Sequence, residues 1–476
     1  MKILLTGSTG YIGRRLAAKL LEDPDVQLRL FVRNRNKVQF TPSVKLEIFE
    51  GNAIEMESLV EALSGIDVAY YLIHSMGAKA DYRQLDKSIA TNFREACIAA
   101  RVKRIVYLGG LGVKETASKH LLSRLETGEI LSEKPDRIQT IFFRAGIIIG
   151  SGSASFEIIR NLVQKLPFMI TPRFVHTQTQ PISVSDVLEY LKQAKDLKVE
   201  SNQVVDIGSE QMNFLIMLQR TAQLMGLRRL IIPVPVFTPK LSSYWLVLMT
   251  AVPSRIARAL IEGLRSETIA QNDNAKRFFP DIHPVSFDEA IRQALDETEN
   301  NQVLSRWCDS SAREVCDIKN EDHIAKAVVR DVQRENFGKI PLQKVFDAAQ
   351  SIGGENGWFR FDWLWRLRGF IDKILGGYGL RRGRRDPFKL RVGDNLDFWK
   401  VIDIQEGKRI LLLNQMKVPG KAWLEFSLAN QTLTQTIHFL PRGLWGRMYW
   451  WLTTPLHILV FKDLAKGIVK KAKDMP

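Results

Sequence analysis

Cysteine is scarce in this chain: three (Cys97, Cys308, Cys316) among 476 residues, with no C-x-x-C pair and no metal-ligand spacing to the seven histidines. That argues against a disulfide scaffold or a structural zinc site, leaves no metal to expect, and suits a reducing cytoplasm. Long apolar runs are missing too. A spanning helix needs about 18 uninterrupted apolar residues, and the two stretches that come partway are broken. Residues 244–251 sit among Pro233, Pro235, Pro239 and Pro253, and residues 444–461 contain Arg447, Pro455 and His457. No cleavable leader is expected, because the first six residues run straight into glycines.

Charge balance is also lacking. The net charge is +16, and residues 301–476 carry +11 of it, from 30 Lys/Arg against 19 Asp/Glu. Such an excess suits an anionic partner such as lipid headgroups, nucleic acid or an acidic ligand, and it serves solubility equally well. Hydrophobic content of 45% and charged content of 25% leave no room for disorder on a large scale.

What is present first is length for two domains. Up to about residue 150, strands and helices alternate, which predicts an α/β Rossmann-type, doubly wound parallel sheet. Strands are expected at residues 3–6, 28–32, 45–50, 68–73, 104–108 and 140–149, with helices at 12–21, 58–63 and 85–100. A more irregular, proline-punctuated extension from about 151 to 300 is where a substrate would bind. A polar tract at 296–306 reads as a linker. Residues 301–476 then read as an α+β domain, with antiparallel strands at 398–404, 409–416, 423–428 and 433–439 and a terminal helix over 444–473.

Gly7-Ser8-Thr9-Gly10-Tyr11-Ile12-Gly13 follows the first strand and opens the first helix. Gly7 permits the tight turn, Gly10 lets the backbone approach a pyrophosphate, and Gly13 allows the helix to pack on the sheet. The free N–H groups of the helix start attract the anion. The second strand ends in Val32-Arg33-Asn34-Arg35, where a site for NAD would place Asp or Glu on the ribose hydroxyl. Arg33 suits a 2′-phosphate instead, with Arg35 or Lys37 assisting. NADP(H) is therefore the expected cofactor and NAD(H) the alternative.

These residues, together with Arg144-Ala145-Gly146-Ile147-Ile148-Ile149-Gly150 and Pro181-Ile182-Ser183-Val184-Ser185-Asp186-Val187, resemble the atypical short-chain dehydrogenase/reductases. The NmrA-like, NAD(P)-binding group is the nearest. The resemblance spans residues 1–300. The fuller likeness is to uncharacterised bacterial oxidoreductase-like proteins that carry Tyr71-Leu72-Ile73-His74-Ser75-Met76-Gly77 and a conjoined domain of unknown function. It implies that Asn52 and Ala53, after Gly51, lie beside the adenine, with Asn52 in place of the family's common acid. It also implies that Leu72, Ile73, His74 and Ser75, with Gly109 and Gly110, border the nicotinamide.

In that family a tyrosine four residues before a lysine handles the proton, and no Y-x-x-x-K occurs in this chain. Where the pair should fall stands Lys119-His120-Leu121-Leu122-Ser123-Arg124, and Gly109-Gly110 replaces the usual serine. His74 and Ser75, at the carboxyl end of a strand, are the substitute catalytic residues, with Lys119 and His120 behind them. A histidine at a strand end can equally be structural. Tyr70 and Tyr71 must point to opposite faces of the sheet.

The order of elements after residue 301 is similar to the START-like, helix-grip fold, whose cavities take lipids, quinones or polyketide-like molecules. Trp445, Tyr449, Trp450, Trp451, Leu456 and Phe461 are expected to line that cavity or fill the core. Residues 360–391 hold ten Lys/Arg against three Asp/Glu, among Trp363, Trp365 and Phe370. That mixture suits peripheral contact with an anionic membrane, or a solvated loop. No nucleic-acid module is recognisable, and nucleic acid is not expected. The expectation is thus a cytoplasmic protein, peripheral at the inner face of the cell membrane. Three functions fit: an NADP(H)-dependent reductase of a hydrophobic small molecule, a non-catalytic redox sensor or assembly factor, and a lipid- or quinone-binding protein.

Overall fold

The computed structural model describes residues 1–35, 38, 40, 43–74, 82–234, 262–263, 266–299, 304–305, 327, 329–374, 384, 386–416 and 418–475. Two compact units divide the chain: Met1–Thr250 with Ser254–Ser311, and Ala251–Pro253 with Ala312–Pro476.

The first unit is built on strands β1 (Lys2–Thr6), β2 (Gln27–Val32), β3 (Leu46–Glu50), β4 (Val68–Tyr71), β5 (Arg104–Gly110), β6 (Gln139–Ala145) and β7 (Gln203–Ile207). They form one sheet in the order β7-β6-β5-β4-β1-β2-β3, every pair parallel. Helices α1 (Tyr11–Leu21) and α6 (Val184–Gln193) pack on one face; α2 (Met56–Leu63), α3 (Tyr82–Ala99) and α4 (Lys119–Ser132) cover the other. Burial on both faces explains why the strands read as continuous apolar runs. Ile3 and Leu5 enter one core and Leu4 the other. Tyr70 and Tyr71 divide in the same way. The strand order reverses at β1, between β2 and β4, which opens a crevice at the carboxyl ends of β1 and β4.

Helix α4 and strand β7 carry no clear sequence signal. In α4 the buried residues are mixed, Ser123, Thr127 and Gly128 among Leu121, Leu125 and Leu131, which blurs its apolar period. The expected single strand at 140–149 ends at Ala145, and Ile148–Ile149 pair instead with Ile182–Ser183 in a separate parallel pair. In the extension, α5 (Ala154–Lys165), α7 (Phe214–Leu224) and α8 (Phe287–Glu299) surround short strand pairs. The Pro181–Val187 motif is a helix start: Ser183 Oγ caps α6 by accepting from Asp186 N at 3.0 Å, and Val285 N donates to Asp186 Oδ2 at 3.0 Å. Asp296 to Glu299 form the last turn of α8, and Glu297 and Ser305 bond into this unit, so the tract expected as a linker is part of it.

In the second unit, β8 (Val329–Asn336), β9 (Asn395–Leu396), β10 (Trp399–Gln405), β11 (Arg409–Asn414), β12 (Gly420–Ala429) and β13 (Thr432–Pro441) form an antiparallel sheet in the order β8-β13-β12-β11-β10-β9. The β12–β13 hairpin turns at Asn430 and Gln431, both at positive φ, as a two-residue loop requires. Helices α9 (Leu342–Gln350), α10 (Asp362–Ile374) and α11 (Gly443–Asp474) complete it. An antiparallel sheet against a long final helix is the expected helix-grip order.

The aromatic residues of α11 do not sit as expected. With 32 residues the helix is about 48 Å long, and apart from Gly446 its buried residues (Val460, Phe461, Leu464, Ala465, Ile468, Ala472) lie in its second half. Phe461 and the half-buried Trp450 join the core, whereas Trp445, Trp451 and Leu456 are exposed. Residues 362–374 form a helix rather than a loop.

Candidate functional site

The glycine loop joins β1 to α1 as its spacing requires. Gly7 has φ +68°, and a side chain there would meet the carbonyl oxygen of Leu72 at 2.3 Å. One on Gly13 would meet the carbonyl oxygen of Gly7 at 2.2 Å. Backbone thus touches backbone on both sides of the turn. Gly10, Thr9 and Ser8 lie between these contacts, and Gly10 N donates to Gly7 O at 2.9 Å. No side chain caps α1 and no acid sits in its first turn. Ser8 Oγ is buried without a hydrogen-bond partner among the described residues. An uncapped helix start beside an orphaned hydroxyl is a site built for an anion. The backbone N–H groups of Tyr11, Ile12 and Gly13 open that helix, while the Tyr11 hydroxyl turns away and donates to Ser151 O at 3.2 Å.

Behind the loop, Arg15 is buried in α1. It donates to Ser151 O at 3.0 Å and to Ser305 Oγ at 3.2 Å, and pairs with Glu297 at 3.3 Å. Ser305 Oγ donates to Tyr11 O at 2.9 Å. Nothing in the sequence singled out this network, because its members lie up to 294 residues apart.

At the end of β2, Arg33 is exposed and forms no ion pair or hydrogen bond among the described residues. Arg35 is occupied: its guanidinium donates to Ile48 O at 3.2 Å and its backbone N to Glu50 Oε2. Lys37 lies outside the described residues. Asn52 spends its side chain on its own turn, accepting from Ile54 N and donating to Glu55. Ala53 is buried in the core under α2. Leu72 borders Gly7, its N–H donating to Thr6 Oγ1 at 3.1 Å, and Ile73 is half-buried beside it. Ser75 lies outside the described residues.

His74 does not stand alone. Its Nδ1 lies 3.3 Å from Asp86 Oδ2 on α3, and its Nε2 lies 3.0 Å from Nδ1 of His120, at the start of α4. Ser123 Oγ also donates to Asp86 Oδ2, at 3.1 Å. Asp86 is buried; His74 and His120 are half-buried. Burial first, and for His120 also the neighbouring His74 and Arg124, hold both imidazoles below the ordinary histidine range, Asp86 opposing this at His74. Both rings are therefore neutral at pH 7, and the tautomers follow. His74 Nδ1–H donates to Asp86, His120 Nδ1–H donates to His74 Nε2, and His120 Nε2 is left as the free end. Tyr70 and Tyr71 offer no alternative donor: both are buried, and burial drives both phenols far above their usual range.

The expected substitute for the missing tyrosine thus gains two partners that sequence reasoning ranked low or overlooked. His120 follows the fifth strand where the family pair would stand. Asp86 had no signal beyond lying one turn into a helix.

Residues 7–139 match the family described as NAD(P)H-binding, and residues 323–464 match one described as a protein of unknown function, DUF2867. The first unit has the fold of the atypical short-chain dehydrogenase/reductases. It binds a nicotinamide cofactor. Among solved structures it resembles Citrobacter sp. triphenylmethane reductase complexed with NADP(H): TM-score 0.52, 19% identity, over 62% of this chain and 100% of that one. Among curated proteins it resembles the photosystem II assembly factor Ycf39 of Trieres chinensis, 24% identical over 44% of this chain and 64% of that one. The auxiliary protein GraX of Staphylococcus aureus is 28% identical over 23% of this chain and 36% of that one. The chain spans less than two thirds of the length of these curated relatives. In the first unit the glycine loop leads into the uncapped start of α1, and Arg33 stands exposed at the end of β2. Among the described residues no group of acids, histidines or cysteines could hold a metal ion.

Proposed function

We propose that the protein is an NADP(H)-dependent reductase of a hydrophobic small molecule, in which His120 exchanges the proton through a relay with His74 and Asp86. The observation that carries this reading is the Asp86–His74–His120 chain beside the cofactor crevice. When bound, the nicotinamide supplies or accepts hydride. The chain's own task is to move a proton at His120 Nε2. Asp86 fixes the His74 tautomer, His74 fixes that of His120, and a positive charge arriving on His120 is shared toward the buried carboxylate.

The test is NADPH oxidation, followed at the nicotinamide absorbance, against a panel of apolar quinones, enones and cationic dyes. Turnover with at least one member is expected, and none across the panel would favour the second reading, a non-catalytic NADP(H)-binding assembly factor or sensor. That reading draws on the absent Tyr-x-x-x-Lys pair and on the likeness to Ycf39.

The choice of NADP(H) over NAD(H) rests on Arg33. Loss of one exposed charge-assisted contact is worth about tenfold in affinity. Titration calorimetry should therefore show Arg33→Ala weakening NADPH about tenfold and leaving NADH unchanged. Equal affinities for the two cofactors in the unaltered protein would remove the case for a 2′-phosphate site.

A further inference from the structure

We propose that the second unit docks on an anionic membrane through the outward face of α10 and of the first half of α11. Of the 26 large apolar side chains left exposed among the described residues, 12 lie on these two helices. They include all three exposed tryptophans: Trp363 at 60% exposure, Trp445 at 76% and Trp451 at 80%.

The spacing makes them faces rather than scatter. On α10, Trp363, Leu367, Phe370 and Ile371 follow the i, i+4, i+7, i+8 pattern of one helical face, and it is the solvent face. The opposite side, with Trp365, turns inward, where its ring meets Phe461 of α11 edge-on at 5.4 Å. On α11, Leu444, Met448, Trp451, Leu452 and Leu459 repeat the pattern over four turns. In its first half Gly446 is buried and Tyr449 and Trp450 pack against Phe439, so the other side of that half presents an apolar ridge.

Charge selects the occupant. From Arg442 to Lys462 the chain has no acidic residue, and Arg442, Arg447 and Lys462 are exposed along it. Arg360 and Arg366 add cations beside α10. Asp362 and Asp463 there are engaged, Asp362 with Arg366 at 2.6 Å and Asp463 with the backbone N of Arg360 at 3.2 Å. An apolar ridge bearing tryptophans and flanked by the exposed Arg442, Arg447 and Lys462 matches acyl chains beneath anionic headgroups. A second copy of the same face would set these cations against each other. Among the described residues no helix is long and apolar enough to cross a membrane, so the contact is interfacial.

The experiment is flotation of the full chain with phosphatidylcholine vesicles, with and without about 30% phosphatidylserine. Binding to the anionic vesicles is expected, with much of it surviving about 1 M salt because apolar insertion is not screened. Tryptophan emission should shift to the blue and be quenched by brominated acyl chains. Trp451→Glu combined with Leu452→Glu should cut binding more than tenfold; both sites are exposed, so circular dichroism should be unchanged. Arg442→Glu with Arg447→Glu should weaken binding to anionic vesicles only. Failure to float with anionic vesicles at low salt would overturn the proposal. So would undiminished binding by the folded double-glutamate variant, or a dimer in light scattering that this variant converts to a monomer.

Discussion

His120→Ala is expected to slow substrate reduction by about 10²- to 10⁴-fold, the usual worth of a positioned proton donor, while the affinity for NADPH stays unchanged. The alanine removes only the free end of the relay. Asp86→Asn should act indirectly, since an amide can present its N–H to His74 Nδ1 and so invert both tautomers, leaving a hydrogen on His120 Nε2. Its signature is an altered pH profile. On the proposed relay, the proton donor for reduction is the His120 imidazolium. Burial holds that histidine well below its ordinary value, so the donor form is scarce at pH 7 and grows as the pH falls. Reduction should therefore accelerate from about pH 7.5 toward pH 5.5, and the reverse oxidation should slow, with both trends lost in His120→Ala. A flat profile in the unaltered protein would remove His120 from the reaction.

The same depressed values bear on stability. An unfolded histidine takes up its proton near pH 6.5, whereas the folded His74 and His120 do so only at lower pH. The stability they contribute is complete above about pH 6.5 and is lost as the pH falls through the window down to their folded values.

Gly10→Val is expected to abolish cofactor binding, lowering NADPH affinity at least about 100-fold, in a protein that still folds. Gly10 has φ −82°, a conformation any residue can adopt, so valine brings no backbone strain. Its side chain would stand where the pyrophosphate must approach the backbone. Gly7 and Gly13 differ, because there even a methyl group collides with carbonyl oxygens within 2.3 Å. Gly13→Ala should therefore lower the melting temperature and take cofactor affinity down with it. Calorimetric titration and thermal melts on the two variants separate the effects. Normal NADPH affinity in folded Gly10→Val would exclude the loop as the phosphate site.

How far the sequence carries depends on distance along the chain. The strand, glycine loop and helix at residues 2–21 were legible because turn, close approach and helix start are all local events within one short segment. The relay was only half legible. His74 stands out at a strand end, but its partners come from α3 and α4, and nothing local to Asp86 or His120 announces a meeting 3 Å away. Helix α4 was itself hidden, because Ser123, Thr127 and Gly128 share its packed face with Leu121, Leu125 and Leu131. In the second unit the final helix was readable from its length. Its orientation was not, because its first half is apolar on nearly every side and periodicity cannot then say which side is covered.

The buried Arg15 network determines how short a nucleotide-binding fragment can be. The match to the NAD(P)H-binding family model ends at residue 139, yet the guanidinium inside the phosphate-loop helix pairs with Glu297 and donates to Ser305. A fragment ending before residue 297 would leave that buried cation without its acidic partner, and it should be less stable than one that keeps Glu297 and Ser305. The segment that closes the unit is therefore a keystone for its opening turn, and an autonomous piece has to run at least through residue 305.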